Sequence, residues 1–154
     1  SLSQKSRADV TNEQLARMRT IALGEALPDF SFENLEGVRQ PLSKLVTYPT
    51  LLAIIDLNCA SCIAEVAALS NAASASSCLN VVLLSSSNPL ALKRLQDSLR
   101  FPFTVIFDEE RAYQSTLKIT STPFNLLVGD GLIVRQVWAG SLTLTECEKL
   151  VACD

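Results

Sequence analysis

Histidine is absent from this chain. Zinc draws on imidazole and thiolate, about four protein ligands in a closed site and about three in an open one. Of the five cysteines only Cys59 and Cys62 are closely spaced, while Cys78, Cys147 and Cys153 are scattered, which argues against a metal site. Lysine and arginine form no cluster, and the net charge is −3, so nothing points to nucleic acid as a partner. Long apolar runs are missing too. The unbroken stretch Leu51 to Ile55 is far short of the roughly 20 residues that span a bilayer. The chain opens at Ser1 without methionine and without a charged-then-apolar leader, and the expectation is a signal or membrane tether upstream of Ser1. No internal repeat and no linker that splits the chain is visible.

What is present is apolar sequence, 48% of 154 residues, spread along the whole length and sufficient for one ordinary core. Residues 1–23 read as a polar segment followed by a short amphipathic helix. In it Thr11 and Gln14 make a capping box, and Leu15, Met18 and Leu23 recur at near-helical spacing. Residues 24–154 read as the folded domain. Phe30 and Phe32 alternate with Ser31 and Glu33, and Glu36-Gly37 supplies the turn of a hairpin. Thr50 to Leu57 is almost wholly apolar or β-branched, the mark of a central strand covered on both faces. Further strands are expected over Val81 to Leu84, Pro102 to Phe107, Phe124 to Val128 and Leu132 to Trp138. Helices are expected from Ile63, over Leu90 to Leu99 behind an Asn88-Pro89 start, over Glu110 to Leu117, and from Leu144 to Val151 behind Thr143. Strands alternating with helices predict an α/β fold: a central mixed sheet, helices on both faces, hairpins at its beginning and end, and an extra N-terminal helix.

Everything else is arranged around Cys59-Ala60-Ser61-Cys62, at a strand-to-helix junction. Two cysteines at this spacing can close a small disulfide ring, and the first lies at the positive end of the helix, which favours its thiolate. Cys59 is the expected nucleophile and Cys62 the resolving thiol. The bland alternatives are half of a zinc site or two small core residues. Of the other cysteines, Cys78 is expected to pack as a small hydrophobe or stay free beside Leu79. A Cys147–Cys153 bridge is conceivable only if the last helix ends between them, because six residues along a regular helix face different ways.

The CxxC after a central strand, Thr122-Pro123 ahead of a late strand and the Gly129-Asp130-Gly131 turn together resemble the thioredoxin superfamily. Within it the chain is similar to the TlpA/ResA branch, itself related to the AhpC/TSA peroxiredoxins. The matching pieces are Pro28-Asp29-Phe30, the Cys59 to Cys62 motif with Glu65 three residues beyond, Thr122-Pro123-Phe124, and Leu127 to Val134. The resemblance implies a thioredoxin-like fold and a cis Thr122-Pro123 bond facing the cysteines, where it docks an extended substrate segment. It also implies dithiol exchange with protein disulfides, a partner that recycles the pair, no cofactor, and a periplasmic or otherwise extracytoplasmic location. Asn58 stands where the branch usually has tryptophan, and Ala60-Ser61 where related proteins often have proline. The acid that thioredoxins bury under the motif is replaced by Ala53, leaving Asp56 and Glu65 as candidate proton acceptors for Cys62. Two other functions follow from the same kinship. One is a thiol peroxidase, although Asp56 occupies the place of its usual threonine. The other is a thioredoxin-fold interaction module without turnover.

Overall fold

In the computed structural model, residues 22–47, 49–73, 78–99 and 103–153 are described. The helix expected over Thr11 to Leu23 lies outside them up to position 21, and Ala22 and Leu23 are not helical. The first hairpin pairs β1 (Ser31–Asn34) with β2 (Arg39–Pro41). Its turn is held by the Asn34 side chain, which accepts from the amides of Glu36 and Val38 at 3.1 and 2.9 Å, and Gly37 takes φ +81° there. A single turn, α1 (Leu42–Leu45), follows. Then come β3 (Thr50–Ile54), α2 (Ala60–Ala73), β4 (Asn80–Ser85), α3 (Pro89–Ser98), β5 (Thr104–Phe107) and α4 (Ala112–Ser115). The second hairpin, β6 (Phe124–Val128) with β7 (Val134–Trp138), leads to α5 (Leu144–Val151).

The seven strands form one sheet in the order β2-β1-β5-β4-β3-β6-β7. β3 is central and buried throughout, as its composition predicts. It runs parallel to β4 but antiparallel to β6, so the closing hairpin contributes one interior strand and only β7 at the edge. Its residues alternate between two cores: Leu51, Ala53 and Ile55 on one face, Leu52 and Ile54 on the other. This is the period of two that a pleated strand imposes.

Both faces are covered, but unequally. Progress from β3 to β4 to β5 continues in one direction, and right-handed crossovers therefore bring α2 and α3 to the same face. There they pack with α5 around Val66, Leu69, Leu92 and Val151. The other face is closed by α1, the α4 turn and the segment around Leu117 and Ile119. The helix expected over Glu110 to Leu117 is thus one turn only. Arg111 in front of it has φ 53°, the buried Asp108 carboxylate sets its start by accepting the amides of Ala112 and Tyr113 at 2.9 and 3.0 Å, and the turn closes where the Leu117 amide reaches back to the Ala112 carbonyl and Lys118 takes φ 60°. α3 starts where expected, with the Asn88 side chain accepting from the Leu90 and Ala91 amides, though Leu90 points outward and Leu92 carries the buried contact. α5 opens with a capping box between Thr143 and Glu146.

The cysteine expectations need one correction. Cys78 is neither free nor a core residue: it is exposed and disulfide-bonded to Cys153, 75 residues away. α5 ends at Val151, and the Cys78 amide donates to the Val151 carbonyl at 3.4 Å, which brings the chain end to the entrance of β4. A Cys147–Cys153 bridge is ruled out because Cys147 lies on the inner side of α5, buried and unbridged.

Candidate active site

β3 delivers the chain to a loop whose shape is set by one carboxylate. Asp56 Oδ1 accepts from the Asn58 amide at 2.9 Å and from the Ser87 hydroxyl at 3.4 Å, while Ser87 Oγ accepts from the Leu57 amide at 3.0 Å. The loop after β4 therefore props up the loop after β3. The Asp56 carbonyl accepts the Cys59 amide at 3.1 Å, and the helix begins one residue later at Ala60.

Cys59 is half-buried and Cys62 fully buried, and both are thiols in this structure. The Cys62 amide donates to Cys59 Sγ at 3.2 Å, and Ser61 Oγ lies 3.2 Å from the same sulfur. Cys59 thus stands where a capping side chain would stand, its sulfur sharing the Cys62 amide with its own carbonyl, which accepts that amide at 3.1 Å. Partial burial pushes its thiol up. The hydrogen bonds from the Cys62 thiol, the Ser61 side chain, the Cys62 amide and the Thr122 side chain outweigh this and leave it below the ordinary thiol value. Cys62 goes the other way: burial first, then its bond to Cys59, push it up to about 11, against a weaker pull from the Asp56 amide and Thr122. Two chemically identical residues, one turn apart, are thereby separated into an ionisable outer sulfur and a protonated inner one.

Across from them the Thr122–Pro123 peptide bond is cis. The Thr122 carbonyl accepts from the Cys59 thiol at 3.7 Å, so backbone of the segment before β6 lies against the reactive sulfur. Thr122 is half-buried and Pro123 buried.

The two candidate acids end up in different settings. Asp56 is taken up with the loop. Glu65, one turn after Cys62 on the inner face of α2, is 3% exposed. Its Oε1 accepts from Asn125 Nδ2 and from the Leu142 amide, both at 2.8 Å. Burial raises its carboxyl above the ordinary value, the donors at Leu142 and Asn125 pull it back, and Glu146 raises it further. Sequence reasoning missed Asn125, Ser87 and Cys147. Asn125, a lone amide in an otherwise apolar strand and two residues beyond Pro123, was the one signal that pointed there. Cys147 is buried beside the acids of this layer, pushed up to about 11 by burial and then by Glu65 and Glu146. Among the described residues no group of three or more cysteines or acids is disposed to hold a metal ion, and no helix is long and apolar enough to cross a membrane.

Residues 23–138 match the AhpC/TSA family. The chain belongs to the AhpC/TSA family. No curated protein matches it. Among solved structures, this AhpC/TSA chain is similar to a secreted disulfide oxidoreductase of Mycobacterium tuberculosis homologous to E. coli DsbE, at 17% identity, TM-score 0.67, covering 79% of this chain and 92% of the other. It is also similar to a thio-disulfide isomerase from Thermus thermophilus, at 18% identity and TM-score 0.67, with coverage of 82% and 92%. A peroxiredoxin-like protein from Aquifex aeolicus follows at 12% identity and TM-score 0.67, with 85% and 88% covered. At such identities the likeness establishes the thioredoxin-like fold. Family and fold together support an oxidoreductase with its cysteine pair at close range.

Proposed function

We propose that this AhpC/TSA-family chain is a thiol-disulfide oxidoreductase of the TlpA/ResA type that exchanges electrons with protein disulfides outside the cytoplasm. The observation that carries the reading is the placing of a half-buried Cys59 at the start of α2, accepting the Cys62 amide at 3.2 Å and facing the Thr122 carbonyl, with Cys62 fully buried behind it. Cys59 thiolate attacks one sulfur of a partner disulfide, forming a mixed disulfide and expelling the other sulfur as a thiolate that takes up a proton. Thr122-Pro123 docks the extended partner segment. Cys62 then loses its proton and attacks Cys59 Sγ, closing the Cys59–Cys62 ring and releasing the second thiol. The chain loses two electrons and two protons, and the partner gains them. A recycling dithiol reverses the change, and the two sulfurs are the only electron carriers required.

Once Cys59 is in a mixed disulfide, its charge and its hydrogen bond to Cys62 are gone, removing two of the influences that raise the Cys62 thiol. Burial remains, and a base remains necessary. Glu65 has that role in our reading, being buried on the same helical face as Cys62, with Asp56 reserved for holding the loop. The Cys78–Cys153 disulfide supports an oxidising compartment. Equilibration in glutathione or dithiothreitol buffers, with alkylation and mass measurement, tests the whole reading. Reversible two-electron cycling of Cys59 and Cys62 is expected, and its absence rules the function out.

Family membership favours one second reading, a thiol peroxidase acting through Cys59. The Asp56 carboxylate, anchored in the loop that precedes Cys59, opposes an anionic transition state there. Slow reaction of Cys59 with hydrogen peroxide is expected in stopped-flow measurements; rapid sulfenic acid formation would reverse the preference.

Glu65 also makes a prediction about stability. A carboxyl whose native value is raised binds its proton more tightly folded than unfolded. Stability therefore falls as pH rises from its ordinary value of 4.5 through the raised native value. Glu65→Gln keeps an oxygen to accept from Leu142 and Asn125 and cannot ionise. It is expected to flatten that fall, matching the parent near pH 4 and exceeding it near pH 8 in thermal melts, while slowing resolution by Cys62. A variant that melts lower than the parent at pH 8 would contradict this.

A further inference from the structure

Asn125 lies on β6, fully buried, two residues past Pro123. Its Nδ2 donates to acceptors on two other elements: Glu65 Oε1 on α2 at 2.8 Å and the Gly140 carbonyl, between β7 and α5, at 3.0 Å. The Leu142 amide donates to the same Glu65 oxygen at 2.8 Å. Oε1 therefore holds two donors. Oε2, likewise buried, has no hydrogen-bond partner among the described residues. An oxygen already accepting twice is a poor place for a proton, and Oε2 is left as the oxygen that takes one up. The titratable groups that interact with this carboxyl are Glu146 and Cys147 on α5, and Cys62 lies one turn before it, also buried, on α2.

We propose that Asn125 is a positioning residue: by tying Glu65 Oε1 to the Gly140 carbonyl, it orients the carboxyl so that Oε2 exchanges the proton with Cys62. This deepens the reading of Glu65 as proton acceptor and rests on it. The proton leaves Cys62 Sγ for Glu65 Oε2 as the Cys62 sulfur bonds to Cys59 Sγ and the partner thiolate departs. Since Asn125 belongs to the strand that continues from Thr122-Pro123, the carboxyl is registered to the docking segment and not only to its own helix.

The test separates the two chemical steps in one experiment. Reaction of the reduced full chain with 5,5′-dithiobis(2-nitrobenzoate) releases one coloured thiolate when Cys59 attacks and a second when Cys62 resolves. For Asn125→Leu, similar in size and without a donor, the first release should be unchanged. The second should slow about tenfold at pH 7, with its pH midpoint displaced upward. In a Glu65→Gln background the same substitution should add nothing, because the two residues act as a unit. Equal slowing of both releases, further slowing on top of Glu65→Gln, or an unmoved second-phase midpoint would each overturn the proposal. If Glu65→Gln itself leaves the second phase untouched, the Glu65 reading fails instead, and this inference with it. Thermal melts report whether Asn125→Leu folds. Should it not, Asn125→Asp keeps the shape and sets a second carboxyl against Glu65, so the pair shares a proton and the midpoint rises. An unchanged midpoint in that variant also overturns the assignment.

Discussion

Cys59→Ser is expected to lose disulfide exchange by about three to four orders of magnitude, measured as reduction of a protein disulfide under a fixed thiol supply. Serine cannot enter the exchange, and the other sulfur of the pair, Cys62, is fully buried, out of reach of a partner disulfide and held above the ordinary thiol value by that burial even without Cys59 beside it. Cys62→Ser should behave differently. Cys59 keeps its helix-start amides and still attacks, but the mixed disulfide cannot be resolved internally, so it accumulates. In cells this variant should hold partner proteins through Cys59, released by reductant. Failure to trap any partner, with Cys59 still reactive to small alkylating agents, would move the protein to the class of interaction modules. Capture would in addition name the substrates.

Parts of this site were legible in the sequence because their signals are local. The run from Thr50, the CxxC spacing, Asn88 ahead of Pro89 and Thr143 ahead of Leu144 each constrain only a few neighbouring residues. Strand alternation and caps are decided at that range. Glu65 was legible as a candidate because three residues from Cys62 means the same helical face. Its burial was not, since the donors that make burial tolerable come from Leu142 and Asn125, 77 and 60 residues further on. Ala53 stands where thioredoxins bury an acid, and the buried carboxyl of this layer, Glu65, lies on the helix instead of the strand, a placing that only the packing of α2 on β6 and α5 reveals. The Cys78 partner was hidden for the same reason. The end of α5 at Val151 was legible, but nothing in the sequence near Cys78 states that the residues after it turn back to β4. The α4 turn was overread because Glu110 to Leu117 holds residues that suit a helix, whereas the Leu117 amide closes back on the Ala112 carbonyl and Lys118 takes φ 60°, which stops it at one turn.

Removing the Cys78–Cys153 staple should have the largest effect on stability. The bridge closes a loop of 75 residues, and in the chain-entropy view such a constraint on the unfolded state contributes about 4.5 kcal/mol. For a chain of this size that corresponds to a fall of roughly 10 °C or more in Tm. The exposed position of both cysteines means that Cys78→Ser with Cys153→Ser creates no buried cavity, so the change reads the cross-link and not packing. Denaturant midpoints of the double variant and the parent, both with Cys59 and Cys62 in the same redox state, give the comparison, and a difference under about 1 kcal/mol would mean that the unfolded chain gains little freedom from the cut. The bridge also anchors the end of α5. The loop before that helix supplies the Leu142 amide and Gly140 carbonyl to the Glu65–Asn125 layer, while Cys147 and Val151 keep α5 in the core without the bridge. Loss of stability with little change in the pH dependence of resolution is therefore the expected pattern, because the staple secures the helix from its far end and Asn125 secures the carboxyl from within.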